Sequence, residues 1–151
     1  MIRSLAIIAT VYVAYLLLKK GYDMTEDQTD YMARTVYGEA RGEGEKGMQA
    51  VANVIMNRVK KGGWYGASIK DVCLKPYQFS CWNEGDPNRE KILNATPAQL
   101  KTARRISEAV INGTLPDITG GATNYHAKSV KPYWAASMTK TATIGSHIFY
   151  A

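Results

Sequence analysis

The residues with the clearest chemical potential lie in Tyr37-Gly38-Glu39-Ala40-Arg41-Gly42-Glu43. Glu39 falls where a helical pattern runs out and a glycine-bounded turn begins. A helix would fix its backbone while its carboxyl group opens to a cleft. An aromatic neighbour such as Tyr37 would thin the water around that carboxyl, and a water-poor setting favours the protonated form that a general acid needs. The plainer account pairs Glu39 with Arg41 on a solvated turn. Glu43 stands four residues on, and a continuing helix would put both carboxyls on one face. Two facing carboxylates are the glycosidase arrangement, in which their separation distinguishes retaining from inverting chemistry. Gly42 and Gly44 work against a regular helix there, and Glu43 serves equally as an acidic charge at the start of a helix near Glu45.

The other reactive side chains are few. Two cysteines, Cys73 and Cys81, and two histidines, His126 and His147, leave spacings of C-x7-C and H-x20-H. Neither spacing matches a tight zinc site, so no metal ligands are assigned and no cofactor is expected. Nothing local marks either thiol as an activated nucleophile.

Several elements are needed to hold these groups. Thr25-Glu26-Asp27-Gln28 reads as a capping box that opens a helix running to about Gly38, with Met32, Thr35 or Val36 inward. Met48, Val51, Ala52, Ile55 and Val59 recur at helical spacing from about Glu45 to Lys61, where Gly62-Gly63 stops the run. Ser68-Ile69-Lys70-Asp71 predicts a short third helix. Residues 75–95, rich in Pro, Asn, Asp and Gly, read as a surface loop. Thr96-Pro97-Ala98-Gln99 is the clearest start signal, with a cap, a proline at the first helical position and a box-closing glutamine. That helix should end at Asn112. Beyond it, short runs of Thr, Tyr, Ile and Phe between glycines and prolines predict two or three strands. The expected fold is α+β, mostly helical, with a small antiparallel sheet near the C-terminus.

A chain of 151 residues with 46% hydrophobic and 21% charged residues can bury a real core, which argues against disorder. The net charge of +6 comes from 19 Lys and Arg against 13 Asp and Glu. Without Arg3, Lys19 and Lys20 it falls to +3 (16 − 13), a mild bias toward anionic partners. No stripe of Arg and Lys interleaved with aromatics is present, so nucleic acid is not an expected partner.

Residues 5–18 form an unbroken run without charge, with Arg3 before it and Lys19-Lys20 after it. Fourteen residues of helix span roughly 21 Å, short of the ~30 Å hydrocarbon core. No A-x-A-like cleavage site follows. The preferred reading is an uncleaved, weakly held anchor over residues 1–20, with a second unit over residues 25–151; a buried core helix is the alternative. Positive charge on both flanks leaves the topology of such an anchor open. An exported chain would also permit a Cys73–Cys81 disulfide, provided the backbones approach within about 7 Å.

Five strings in one order carry a resemblance: ARTVYGEARGEGEKGMQAVANVIMNRV (33–59), KPYQFSCW (75–82), GGATNYHA (120–127), PYW (132–134) and TIGSHIFYA (143–151). Together they resemble the cell-wall hydrolase family typified by bacterial spore-cortex lytic enzymes. The resemblance implies cleavage of peptidoglycan glycan strands on a lysozyme-like α+β scaffold, by lytic transglycosylation, with Glu39 as the acid. One acid suffices for that reaction, which frees Glu43 to act behind Glu39. Gln78 and Phe79 in KPYQFSCW put a polar group beside an aromatic face, which suits a sugar, and a buried Phe79 and Trp82 anchoring the loop is the equal alternative. The resemblance implies that Tyr125 and His126 face Glu39 in the same groove, to which Tyr133 and Trp134 could add, whereas His147 reads as structural. A bare catalytic unit behind a weak anchor resembles a small phage endolysin of a Gram-negative host, which implies inner-membrane tethering through residues 1–20, periplasmic exposure, or both. Three alternatives stand beside it: a muramidase that hydrolyses the same bond, a zinc amidase that cuts the stem peptide, and an inactive membrane-tethered wall-binding protein.

Overall fold

The computed structural model describes the backbone of residues 2–151 and the side chains of residues 10–20 and 26–151. Five α-helices precede a three-stranded sheet: α1 (Ile2–Ala40), α2 (Gly44–Lys61), α3 (Ile69–Leu74), α4 (Pro87–Leu93), α5 (Pro97–Ile111), β1 (Asn124–Ala127), β2 (Lys140–Ile144) and β3 (His147–Tyr150). The mostly helical α+β reading with a C-terminal antiparallel sheet holds.

The first helix differs from expectation at its start. The capping box at Thr25 does not form, because the backbone is helical through that position and α1 continues unbroken from Ile2. A cap needs a residue outside helical geometry, and amide groups inside a helix already bond the carbonyls four residues back. Thr25's side chain lies outside those described. Gln28 instead accepts the Lys70 amide at 3.0 Å, while Ser68 accepts the Asp71 amide at 3.1 Å, so α3 is capped from two directions. The inward face of α1 is as read, with Met32, Thr35 and Val36 fully buried.

Of the residue 1–20 segment, the side chains of residues 1–9 lie outside those described. Val11, Tyr12, Val13, Tyr15, Leu16, Leu17 and Leu18 are all exposed. Among the described residues, no helix is long and apolar enough to cross a membrane.

The expected 75–95 loop is largely ordered into the core. It holds a 3-10 turn at Ser80–Trp82 and α4, and it buries Phe79, Cys81 and Ile92. Asp86-Pro87 is a cap followed by proline, the same signal as Thr96-Pro97, and the Asp86 carboxylate accepts the Asn88 amide at 2.8 Å. Arg34 of α1 closes the other end of α4 by donating to the Ile92 and Leu93 carbonyls. The α5 capping box forms as predicted, with Thr96 and Gln99 each accepting the other's amide.

Helix α2 joins the two halves of the molecule. Met48, Val51, Ala52 and Ile55 pack into the helical core with Met32, Val36, Phe79 and Ile106. Its other side gives Ala50 and Val54 to a smaller cluster with Ala122 and Phe149 of the sheet. The strand order is β1-β3-β2, all antiparallel, with Tyr125 opposite Phe149 and His126 opposite Ile148. Alternation along the strands therefore gives Tyr125, His147 and Phe149 one face, and His126, Ile148 and Tyr150 the other.

Candidate active site

Glu39 lies in the last turn of α1, where the 3-10 turn and β1 converge on it. The Tyr125 hydroxyl donates to Glu39 Oε2 at 3.0 Å, and the Cys81 amide donates to Oε1 at 3.4 Å. Both carboxyl oxygens thus have a donor from a different element. Burial and the adjacent Glu39 charge push the Tyr125 phenol well above its usual range, so it remains a hydroxyl able to donate. Tyr125 is itself held by its rings, stacked on Phe149 at 5.5 Å and edge-on to His147 at 5.2 Å.

Tyr125 is also one wall of a groove of about 260 Å³. The floor and sides come from Arg58, Tyr65, Gln78 and Asn124, with Trp64, Tyr77 and Trp134 adding aromatic surface. Trp64 is 70% exposed and Tyr77 is 89% exposed. Tyr77 also sits at φ 64°, a left-handed backbone that a tyrosine rarely adopts. Exposed rings beside amide side chains suit a sugar, whose apolar faces stack and whose hydroxyls need polar partners. Sequence reading passed over Trp64 and Tyr77, since one follows Gly62-Gly63 and the other lay in the supposed loop. The Pro76-Tyr77 pair at the head of a family-like string was the available signal.

Other expected site residues are placed differently. Gln78 does face the groove, accepting from Arg58 Nη1 at 2.9 Å. Phe79 does not: at 1% exposure it is a core residue, packed under the Arg58 guanidinium at 4.9 Å. His126 follows Tyr125 in β1, so strand alternation turns it to the opposite face of the sheet. There it meets the Tyr150 hydroxyl at 3.0 Å and lines a larger hollow of about 360 Å³ that contains no carboxyl group. His126 is therefore removed from the groove set. Trp134 bridges the two regions, edge-on to His126 yet on the groove wall. Tyr133 is exposed and lines neither cavity.

Glu43 is occupied elsewhere. Its Oε2 accepts the Ser146 amide at 2.9 Å, its Oε1 accepts the Ser146 hydroxyl, and His147 Nδ1 lies 3.9 Å away. The turn joining β2 and β3 is pulled so close that a Cβ on Gly145 would fall 2.4 Å from Glu43 Oε2. Hydrogen bonds from the Ser146 side chain and amide hold the Glu43 carboxyl below its ordinary range. A depressed carboxylate contributes stability above its unfolded pKa and loses it as pH falls through the folded value. Glu43→Gln should therefore lower the melting temperature by a few degrees at pH 7. The gap should close as the pH is taken well below about 4.3. Thermal melts of both proteins from pH 7 to pH 3 check this, and a gap independent of pH would refute the clamp.

Both cysteines are free and buried, so the Cys73–Cys81 bridge is not formed in this structure. Burial pushes the Cys73 thiol up to about 12. Burial, then the Glu39 charge, pushes the Cys81 thiol up further. Neither is poised as a thiolate nucleophile. Among the described residues no three His, Cys, Asp or Glu side chains form a metal-sized cluster. The two histidines lie on opposite faces of the sheet.

Comparison with known proteins bears directly on this geometry. A family model described as Cell Wall Hydrolase matches residues 42–150. The chain belongs to the cell wall hydrolase family. It is 35% identical over 130 residues to the spore cortex-lytic enzyme of Halalkalibacterium halodurans, covering 85% of this chain and 36% of that protein. The corresponding enzyme of Bacillus cereus is 33% identical over 130 residues, covering 85% and 45%. The chain thus spans less than half the length of these curated relatives. The crystal structure of the Bacillus cereus SleB catalytic domain superposes with a TM-score of 0.69 at 31% identity, covering 83% of this chain and 91% of that one. The catalytic domain of the germination-specific lytic transglycosylase SleB from Bacillus anthracis gives 0.68 at 31%, covering 82% and 93%. Glu39 lies three residues ahead of the span matched by the family model, and its candidacy rests on the geometry above.

Proposed function

We propose that this cell wall hydrolase cuts the glycan strand of peptidoglycan between N-acetylmuramic acid and N-acetylglucosamine as a lytic transglycosylase, with Glu39 as its acid and base. The observation that carries the reading is the Glu39 carboxyl group, bonded by the hydroxyl of Tyr125, a wall of the groove, and by the Cys81 amide, while Glu43 is committed to Ser146. The likeness to a SleB domain described as a lytic transglycosylase supports it.

In the first half-reaction, protonated Glu39 gives its proton to the glycosidic oxygen as the C1–O bond breaks, leaving positive charge on the muramyl ring. A hydroxyl both donates and accepts, so Tyr125 can hold Glu39 in either protonation state. In the second half, the muramyl C6 hydroxyl attacks C1 and its proton passes to the Glu39 carboxylate. An anhydro ring closes, the acid is regenerated, and no water is consumed. Neither a second carboxylate nor a metal takes part in these steps. Trp64, Tyr77 and Trp134 supply stacking faces that keep the strand in register with Glu39.

Mass spectrometry of the muropeptides released from purified Gram-negative peptidoglycan tests the reaction. Anhydromuramic ends are expected. Reducing ends would replace the transglycosylase with a muramidase, and freed stem peptides on intact glycan would mean an amidase.

The exposed apolar side chains from Val11 to Leu18, followed by Lys19 and Lys20, support association of residues 1–20 with the inner membrane. A phage endolysin tethered there and acting in the periplasm fits that arrangement. Fractionation of expressing cells should place the full chain in the membrane pellet, released by detergent. Recovery wholly in the supernatant would defeat the tether.

A further inference from the structure

Arg58 is the residue whose placement the reaction leaves unexplained. Its side chain is 7% exposed, and among the described residues it forms no ion pair with a carboxylate. Burying a guanidinium without a counter-ion is costly, and an apolar residue of similar length would fill the same space more cheaply. What Arg58 does make is a planar fork. Nε donates to the Thr123 carbonyl at 2.7 Å, and Nη1 donates to Gln78 Oε1 at 2.9 Å. The rings of Phe79 and Tyr65 cover it at 4.9 and 5.5 Å.

The two strands of chain gripped by this fork have one property in common. Thr123 stands two residues before Tyr125, and Phe79 stands two residues before Cys81. Those are the two residues that donate to Glu39. Thr123 is further locked by its amide to the Tyr150 carbonyl at 2.9 Å, so the Arg58 bond fixes where β1 begins. From its place in α2, a helix packed against both α1 and the sheet, one side chain thus reaches both segments that supply the donors.

We propose that Arg58 is the positioning residue of the active site, fixing the Tyr125 hydroxyl and the Cys81 amide on the Glu39 carboxyl. The proposal rests on the reading of Glu39 as acid and base. Lysine could not substitute, because an ammonium group lacks the planar fork that bonds in two directions while its faces stack.

The test compares wild type, Arg58→Met, Arg58→Lys and Glu39→Gln on soluble glycan oligomers, with a thermal melt of each. Loss of about 10²-fold in kcat is expected for both Arg58 variants, the scale of a misplacement near 1 Å. KM should stay within a few-fold and both proteins should melt cooperatively. A loss confined to KM would make Arg58 a substrate contact and overturn the proposal, as would wild-type kcat in either variant. If Arg58→Met does not fold, Arg58→Lys decides: folded with kcat lost supports the proposal, and failure to fold assigns Arg58 to stability alone and overturns it. Glu39→Gln separates the two readings. Full activity there would bring down Glu39, and the Arg58 proposal with it. An inactive Glu39→Gln beside a fully active Arg58→Lys would bring down only Arg58.

Discussion

Glu39→Gln is expected to leave a folded protein whose release of muropeptides falls by at least about 10³-fold, within the range a positioned general acid supplies. The substitution keeps the shape of the side chain. The amide oxygen of glutamine can still accept from the Tyr125 hydroxyl or the Cys81 amide, so the neighbours that bond Glu39 keep one partner. What is removed is the transferable proton and, with it, the carboxylate charge. A thermal melt close to wild type, together with lost lysis, would place the defect in chemistry. Substantial residual lysis would show that another group delivers the proton. The nearest other carboxyl in sequence, Glu43, could do so only after releasing the Ser146 amide and hydroxyl. The double variant Glu39→Gln with Glu43→Gln would then reveal it.

How much of this could be read from the chain depends on where each signal is written. Helices α2 and α5 were legible because their apolar spacing and their stops are local properties. The α5 box survives intact for the same reason. Glu39 was legible as a candidate because glycine follows a helical pattern there. The start of α1 was not: Thr25-Glu26-Asp27-Gln28 has the composition of a box, but whether it caps depends on what the preceding residues do. Those residues continue the helix and leave no free amides to cap. Phe79 stood open between a groove wall and a core anchor because aromatic character alone does not tell the two apart, and the structure makes it the anchor. Its burial is decided by the helical core it joins and by Arg58 of α2 over its ring, both distant in sequence. His126 was misplaced by one residue of strand register. The pairing of Tyr125 with Phe149 determines which neighbour faces Glu39, and that pairing is a long-range property.

Gly38→Ala should be the most damaging single-methyl change near the site, and Gly42→Ala, four residues away in the same string, should be nearly silent. In an exposed helix, replacing glycine with alanine gains up to about 1 kcal/mol. At Gly38 that gain is overtaken by packing. A Cβ there would lie 2.8 Å from Cys81 Cβ, 2.9 Å from Ile92 Cγ2 and 3.0 Å from Cys81 Sγ. None of these is the free end of a flexible side chain, since Cys81 and Ile92 are both fully buried. Overpacking of this kind costs about 1–3 kcal/mol. The displaced group is also the chain segment that donates to Glu39, the very next residue of α1, so the carboxyl and one of its two donors are forced apart. Lysis should therefore fall by about 10- to 100-fold, more than the loss of folded protein accounts for. At Gly42 nothing lies within 4 Å of the added atom, and activity and melting temperature should match wild type. Thermal melts and initial lysis rates of the two variants decide the matter. A Gly38→Ala protein as active as Gly42→Ala would mean that the close seat of Cys81 against α1 does not hold Glu39 in its working geometry.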